Sequence, residues 1–309
     1  MRVVFLGTPD FAVKSLDALY SSRHEIAAVV TQPDKPTGRK AILTSSPVKA
    51  RALELGLKVL QYDKISVGGA DDLRALNADI MVTCAFGQIL SGEIIGIAPR
   101  GVINVHASLL PKYRGAAPIQ YAVINGDTET GVTIMQTEVS LDSGDILAVE
   151  KVAIGESETA GELFSKLSEV GAKLLVDTLD GLERGEIVPV PQDHDKATFV
   201  KPIRKADALI DWSLPAKKIF DLIRGMNPWP VAFTYLNGKL LKIYSAEIAG
   251  DVVCGEAGSA LVSGGELFVK CGKLSLKITS LQAEGGKRMA ARDFLLGRKI
   301  SSGDVLKND

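Results

Sequence analysis

Val102-Ile103-Asn104-Val105-His106 is a short run of branched apolar residues interrupted by two polar ones, and its reading decides the fold of the first half of the chain. Four similar runs precede it, Val3–Leu6, Ile26–Thr31, Lys58–Gln61 and Asp79–Ala85, each of strand length and most of them rich in Val and Ile. Helical patterns separate them. Phe11, Ser15, Leu16 and Leu19 share a helix face, and Ser46-Pro47 sets a capping hydroxyl before a proline suited to the first helical turn. Strands alternating with helices argue a parallel-rich sheet with crossover helices, so the fold class over residues 1–188 is α/β.

In such sheets ligands sit beyond the carboxyl ends of the strands. The segments that matter are therefore Gly7-Thr8-Pro9, the stretch from Gln32 onward, Phe86-Gly87-Gln88 and the residues after His106. Gly7-Thr8-Pro9-Asp10 lacks the GxGxxG spacing of a dinucleotide-binding turn, and Gly7 is equally well read as a residue that only makes the turn.

Beyond residue 150 the pattern changes. Residues 159–185 predict a long helix, and from 189 to 206 the patterning fades while Pro189, Pro191 and Pro202 mark a linker. After a helix at Lys217–Arg224, alternating runs at Ala232–Leu236, Leu240–Ile248, Ser259–Val262, Leu267–Cys271 and Leu274–Ser280 predict a small β-barrel within 207–309. Charge divides along the same line. Up to Phe199 there are 19 Lys+Arg against 26 Asp+Glu, and from Val200 there are 17 against 11. A basic second unit suits a polyanion such as RNA, because clustered cations displace the counterions condensed on phosphates. A solvated surface accounts for the same charge equally well.

Apolar residues make up 46% of the chain and charged residues 24%, which is ordinary for a globular protein. The amino-terminal apolar run is too short for a signal-peptide core, and no window offers the roughly 18 apolar residues of a membrane span. Cys84, Cys254 and Cys271 have no CxxC spacing, so neither a disulfide framework nor a zinc site is expected. A reducing cytoplasm is the expected location.

On an extended strand alternate residues share a face, so Asn104 and His106 project together while Val105 turns the other way. Two polar groups on a strand built for burial must be hydrogen-bonded or face a cleft. Both a satisfied structural pair and a reactive pair meet that condition. Leu141-Asp142-Ser143-Gly144-Asp145 follows a strand-like Gly131–Thr137 segment and reads, on composition alone, as a turn. Leu109-Leu110-Pro111 and Phe86-Gly87-Gln88-Ile89-Leu90 read by themselves as core.

Taken in order, Asn104, His106, Ser108-Leu109-Leu110-Pro111 and the Asp142 loop resemble the folate-dependent formyltransferase family. Phe5–Ala12, Val30–Arg39, Ser46–Lys49, Arg114–Gln120 and Asn227-Pro228-Trp229-Pro230 are similar to those members of it that act on an aminoacyl-tRNA. The resemblance implies a Rossmann-like N-terminal formyltransferase domain, a linker and a C-terminal OB-like β-barrel that binds tRNA. It implies transfer of the formyl group of 10-formyltetrahydrofolate to the α-amino group of methionyl initiator tRNA, in translation initiation. A cytoplasmic monomer is expected, with no metal and no membrane attachment.

The same resemblance assigns roles. Asn104 and His106 would donate hydrogen bonds to the oxyanion of a tetrahedral intermediate, and Asp142 would orient His106 and accept the proton the amine sheds. Phe86, Gly87, Gln88, Ser108, Leu109, Leu110 and Pro111 would line the folate slot. Lys35, Arg39 and Lys40, in the long 32–45 loop, would meet the tRNA, although Lys40-Ala41-Ile42-Leu43-Thr44 holds fewer cations than the family's loop usually does. A free α-amino group titrates at roughly 7.7–8.0, so the harder demand on the site comes after attack, when the nitrogen must lose a proton. His24 and His194 lack such a context and are read as surface or structural.

Two other functions fit parts of the pattern. The same core with a different acceptor, such as glycinamide ribonucleotide, a sugar-nucleotide amine or water, would be a different enzyme, and the barrel alone does not separate these. A noncatalytic RNA-binding protein would use only the basic barrel.

Overall fold

The computed structural model describes residues 1–38, 41–297 and 299–308. Its first elements are β1 (Arg2–Gly7), α1 (Asp10–Tyr20), β2 (Glu25–Thr31), β3 (Lys35–Thr37), β4 (Ile42–Thr44), α2 (Pro47–Glu54), β5 (Val59–Gln61), α3 (Ala70–Ala75), β6 (Ile80–Cys84), α4 (Gly92–Ile95) and β7 (Val102–His106). There follow β8 (Arg114–Gly115), α5 (Pro118–Asn125), β9 (Glu129–Gln136), β10 (Ile146–Ala153), α6 (Ala160–Arg184) and β11 (Phe199–Val200). The chain divides into two compact units. The first holds Met1–Gly115, Glu129–Ala153 and Phe164–Val200, and the second holds Ala116–Thr128, Ile154–Leu163 and Lys201–Asp309.

The first unit is built on a seven-stranded sheet in the order β10-β9-β7-β6-β1-β2-β5. β7, β6, β1, β2 and β5 run parallel, and β9 and β10 extend the sheet antiparallel. The five strands read from the sequence are the five parallel ones. Their Val and Ile side chains explain why, since Val3, Val4, Val29, Val30, Ile80 and Val82 are fully buried, as a sheet covered on both faces requires. β1 has β2 on one side and β6 on the other, so the strand order reverses at β1, and it is beyond the carboxyl ends of strands at such a reversal that sheets of this kind bind ligands. Gly7 closes that end tightly. A Cβ there would lie 2.8 Å from the Ala12 Cβ and 3.2 Å from the Cys84 carbonyl, so the glycine is required by the approach of α1 and β6 rather than by a ligand. Ser46 caps α2 as the sequence anticipates, its Oγ accepting the Lys49 N–H at 3.1 Å.

The second unit adds α7 (Ala216–Gly225), β12 (Ala232–Leu236), β13 (Lys239–Ala249), β14 (Ala260–Ser263), β15 (Glu266–Lys270), β16 (Ser275–Ala283), β17 (Met289–Ala290), α8 (Ala291–Leu296) and β18 (Leu306–Lys307). Six strands pair in the order β14-β15-β16-β13-β12-β18, and β17 joins β16. The sheet curls until its two ends meet: Ser259 bridges Val305, Ala260 N–H donates to the Asp304 carbonyl at 2.7 Å, and Leu306 N–H donates to the Gly258 carbonyl at 2.9 Å. Inward-facing Leu241, Ile243, Leu267, Val269, Leu276, Ile278 and Leu281 fill it. This is the predicted small barrel.

Two segments from the first half of the sequence group with this unit. α5 packs on α7, with Gly225 so close to Ile124 that a Cβ would meet the Ile124 backbone nitrogen at 3.2 Å. Arg224 Nη1 donates to the Glu158 carbonyl at 3.1 Å, and Gly161 N–H to the Asn227 carbonyl at 3.0 Å. The apolar face of α5, the Glu158 carbonyl and the Gly161 N–H thus find partners on α7 and the loop after it, about seventy to a hundred residues further along the chain.

Candidate active site

The carboxyl end of β7 presents the pair read from the sequence. Val105 is buried against Gly171 of α6, whose added Cβ would meet Val105 Cγ1 at 3.1 Å, so Asn104 and His106 face the opposite side of the sheet. Asn104 is half-buried. The Thr83 hydroxyl on neighbouring β6 donates to its Oδ1 at 2.9 Å, an arrangement that leaves the amide hydrogens on Nδ2 pointing away from Thr83 with no protein acceptor among the described residues.

His106 is buried and held from two sides. Nε2 lies 3.0 Å from the Tyr113 carbonyl, which can only accept, so Nε2 carries the hydrogen. Nδ1 faces Asp142 Oδ2 at 3.7 Å. The ring N–H expected as an oxyanion donor is therefore spent at Nε2, and the nitrogen left for chemistry is Nδ1. It accepts a proton when the ring is neutral and donates one when the ring is an imidazolium, whose charge the nearby carboxylate offsets.

Asp142 sits in left-handed backbone, φ 47°, and Tyr113 likewise, φ 59°. Non-glycine residues hold that conformation only where their surroundings fix it. Gly115 N–H donates to Asp142 Oδ2 at 2.7 Å, and Tyr113 N–H donates to Thr198 Oγ1 at 2.8 Å. β8 and β11 pair in parallel, and an added Cβ on Gly115, φ 114°, would collide with the Val200 carbonyl. The stretch expected as a linker from residue 189 thus bonds, up to Val200, to the loops that hold His106 and Asp142.

The residues expected to line a folate slot divide by what their side chains do. Ser108 is fully buried and its hydroxyl donates to the Lys112 carbonyl at 2.6 Å, closing the loop on itself, while Thr133 Oγ1 donates to the Ser108 carbonyl and accepts the Leu110 N–H. Leu110 is buried, and Leu109 and Pro111 are half-buried. Phe86 is in the core among Val4, Leu6, Met81 and Leu90. The Gln88 side chain is spent on the backbone, accepting from Ile65 N–H and donating to the Tyr62 carbonyl, both at 2.8 Å. Gly87 is exposed with φ 80°. The backbone N–H groups of Gly87, Gln88 and Ile89 have no protein acceptor among the described residues, so this segment offers main-chain donors rather than side chains.

The 32–45 loop holds a short hairpin, β3 pairing β4 antiparallel with Lys35 opposite Thr44. Its base is pinned where Lys49 Nζ donates to both Asp34 oxygens, at 2.8 and 2.7 Å, and Gln61 Nε2 donates to Asp34 Oδ1 at 2.9 Å. These bonds hold the Asp34 carboxyl below its usual range, Lys49 contributing most. Lys35 is exposed, its Nζ donating to Gln32 Oε1 at 2.6 Å. Arg39 and Lys40 lie outside the described residues.

One cluster of metal-ligand types occurs among the described residues, His24 with Asp180 and Glu183. Cations already occupy it. The Met1 ammonium is 3.1 Å from Glu183 Oε1 and 3.1 Å from His24 Nδ1, and Arg23 reaches Asp180 and Glu183 at 2.7 and 2.6 Å. No helix among the described residues is long and apolar enough to cross a membrane.

Known proteins match this chain in sequence and in fold. Residues 1–179 match the family described as "Formyl transferase", and residues 202–299 match "Formyl transferase, C-terminal domain". A methionyl-tRNA formyltransferase of Lachnospira eligens is 49% identical over 99% of both chains, and one of Caldanaerobacter subterraneus subsp. tengcongensis is 45% identical over 99% of this chain and all of its own length. Among solved structures, an N-formyltransferase from Helicobacter canadensis in complex with folinic acid and dTDP-3-aminofucose aligns with a TM-score of 0.68 over 89% of this chain and 98% of that one. At 17% identity that likeness is one of fold. Matched in both halves, and close to half identical to relatives along their full length, the chain belongs to the formyl transferase family.

Proposed function

We propose that the protein is an enzyme that transfers the formyl group of 10-formyltetrahydrofolate to the α-amino group of methionyl initiator tRNA, giving formylmethionyl-tRNA for translation initiation. The observation that carries the chemistry is His106, held by the Tyr113 carbonyl at Nε2 and facing Asp142 at Nδ1, beside an Asn104 whose amide hydrogens are unspent. That set meets each demand of acyl transfer between nitrogens. The neutral amine attacks the formyl carbon, and the carbonyl oxygen becomes an oxyanion. Asn104 Nδ2 and a protonated His106 Nδ1 supply donors to it. The attacking nitrogen becomes positive and must lose a proton before it is expelled again. Asp142 accepts that proton and passes it on to N10 as the carbon–N10 bond of the folate breaks, so tetrahydrofolate leaves with N10 protonated and the carboxylate is restored.

The folate's flat apolar rings suit Leu109, Leu110 and Pro111 with the Phe86–Gln88 segment, whose unpaired backbone N–H groups would meet the polar edge of the pterin. The family and the names of relatives that match this chain end to end support a tRNA acceptor. The excess of Lys and Arg beyond Val200, with Lys35 on the hairpin and Arg39 and Lys40 close after it in sequence, supplies the charge such a partner requires. We assign catalysis to the first unit, which includes residues 189–200, and tRNA binding to 207–309, in a cytoplasmic monomer. The test offers the purified protein 10-formyltetrahydrofolate with charged initiator tRNA, uncharged tRNA and small amines in parallel. Formyl transfer to a small amine but not to the charged tRNA would overturn the acceptor.

A further inference from the structure

Gln192 lies far in sequence from the catalytic trio, in a stretch whose composition reads as linker, yet it is buried to 5% exposure. Its carboxamide is fully used. Nε2 donates to the Asp142 carbonyl at 2.9 Å and to the Gly144 carbonyl at 2.7 Å, one hydrogen on each. Oε1 accepts from Arg114 Nη2 at 2.7 Å and Nε at 3.2 Å. Arg114 is itself 4% exposed, and its Nη2 is 3.0 Å from His194 Nδ1. Arg114 also lies between Tyr113, which holds His106 Nε2, and Gly115, which holds the Asp142 carboxylate. One side chain therefore ties together the two loops that grip His106.

We propose that Gln192 is a positioning residue for formyl transfer: by bonding the Asp142 and Gly144 carbonyls and the Arg114 guanidinium, it keeps Asp142 in left-handed backbone with its carboxylate turned to His106. The claim rests on the reading of Asp142 as proton acceptor. A carbonyl in the left-handed region has no strand or helix partner of its own, and a buried carbonyl without a donor is unfavourable. Gln192 supplies two such donors at one point. Without them the loop relaxes toward ordinary backbone, and the carboxylate swings away from Nδ1. His194 bears on the same network from its exposed side, through Arg114.

The test compares Gln192→Met, which keeps the length and removes all four bonds, with Gln192→Glu, which keeps an acceptor for Arg114 but sets an oxygen against two carbonyls. Both are assayed for formyl transfer to charged initiator tRNA, with binding of 5-formyltetrahydrofolate and thermal unfolding measured alongside. The expected result is a fall in kcat of about 100-fold in each variant, as misplacement of a reacting group by about 1 Å produces, with folate affinity changed less than about threefold. A Tm that drops while kcat stays within about threefold of the parent would assign Gln192 a purely structural role and overturn the proposal. A crystal structure of Gln192→Met separates this claim from the choice of reaction: Asp142 still left-handed, with Oδ2 still on Gly115 N–H, contradicts it whichever acceptor the enzyme uses.

Discussion

At the scale of the residue, the chemistry depends on which atoms are already spent. Asn104 gives its oxygen to Thr83 and keeps its hydrogens, while His106 gives Nε2–H to Tyr113 and keeps Nδ1. Asn104→Ala should lower kcat by about 10²–10³, the worth of one oxyanion donor, with unfolding little changed because the Thr83 hydroxyl keeps the Ile103 carbonyl as acceptor. Asp142→Asn retains an acceptor for Gly115 N–H but cannot take a proton, and should lower kcat by about 10²–10⁴ while folate binding persists. Steady-state kinetics against a folate-binding titration checks both. Asn104 and His106 were legible in the sequence because a strand's period of two needs only neighbouring residues to be read. Thr83, Tyr113 and Gln192 were not. They act across the sheet, through a main-chain carbonyl, or from a stretch where a single buried glutamine leaves no periodicity.

At the scale of the element, the β8–β11 pair is the clasp of the site. Gly115→Ala puts a Cβ into the Val200 carbonyl at φ 114°, which should destabilise the protein by about 1–3 kcal/mol and displace the N–H that fixes Asp142. Denaturant unfolding and kcat measured together should both fall. The start of β2 gives a prediction in pH. Burial pushes the His24 ring below its ordinary value, and the adjacent Met1 ammonium lowers it further, outweighing Asp180 and Glu183. The folded protein therefore holds His24 neutral where the unfolded chain, with a pKa near roughly 6.5, takes up a proton. Its contribution to stability is complete above that unfolded value and is lost as pH falls through the lower folded one. Melting followed from pH 7 to pH 5 should decline, and the slope should be shallower in His24→Gln. The parallel strands and the long helix were legible from Val/Ile runs and a sustained helical period. The hairpin at Lys35–Thr37 and Ile42–Thr44 was not, since three-residue strands with exposed Ile42 and Leu43 leave no alternation to read.

At the scale of the whole molecule, the order of elements was written in the sequence but the partition into units was not. Residues 116–128 and 154–163 join the barrel because α5 and the Glu158 carbonyl find their partners on α7, contacts about a hundred and about seventy residues away. Deleting 201–309 would strip α5 of α7 and expose Ile119, Val123 and Ile124. The truncated protein should aggregate or lose its cooperative melt, so the basic half is better tested by charge reversal at surface lysines such as Lys201, Lys205 and Lys218. Those changes should weaken tRNA binding and flatten its dependence on salt by about one phosphate contact each, with folate binding intact. The central claim is a formyl group passing to an amine beside Asn104, His106 and Asp142. Its most direct test is single-turnover transfer from 10-formyltetrahydrofolate to methionyl initiator tRNA by the parent protein and by a folded Asp142→Asn variant. The parent should form formylmethionyl-tRNA rapidly and the variant should lose the chemical step with both substrates still bound, whereas equal single-turnover rates in the two proteins would contradict a role for Asp142 in the transfer.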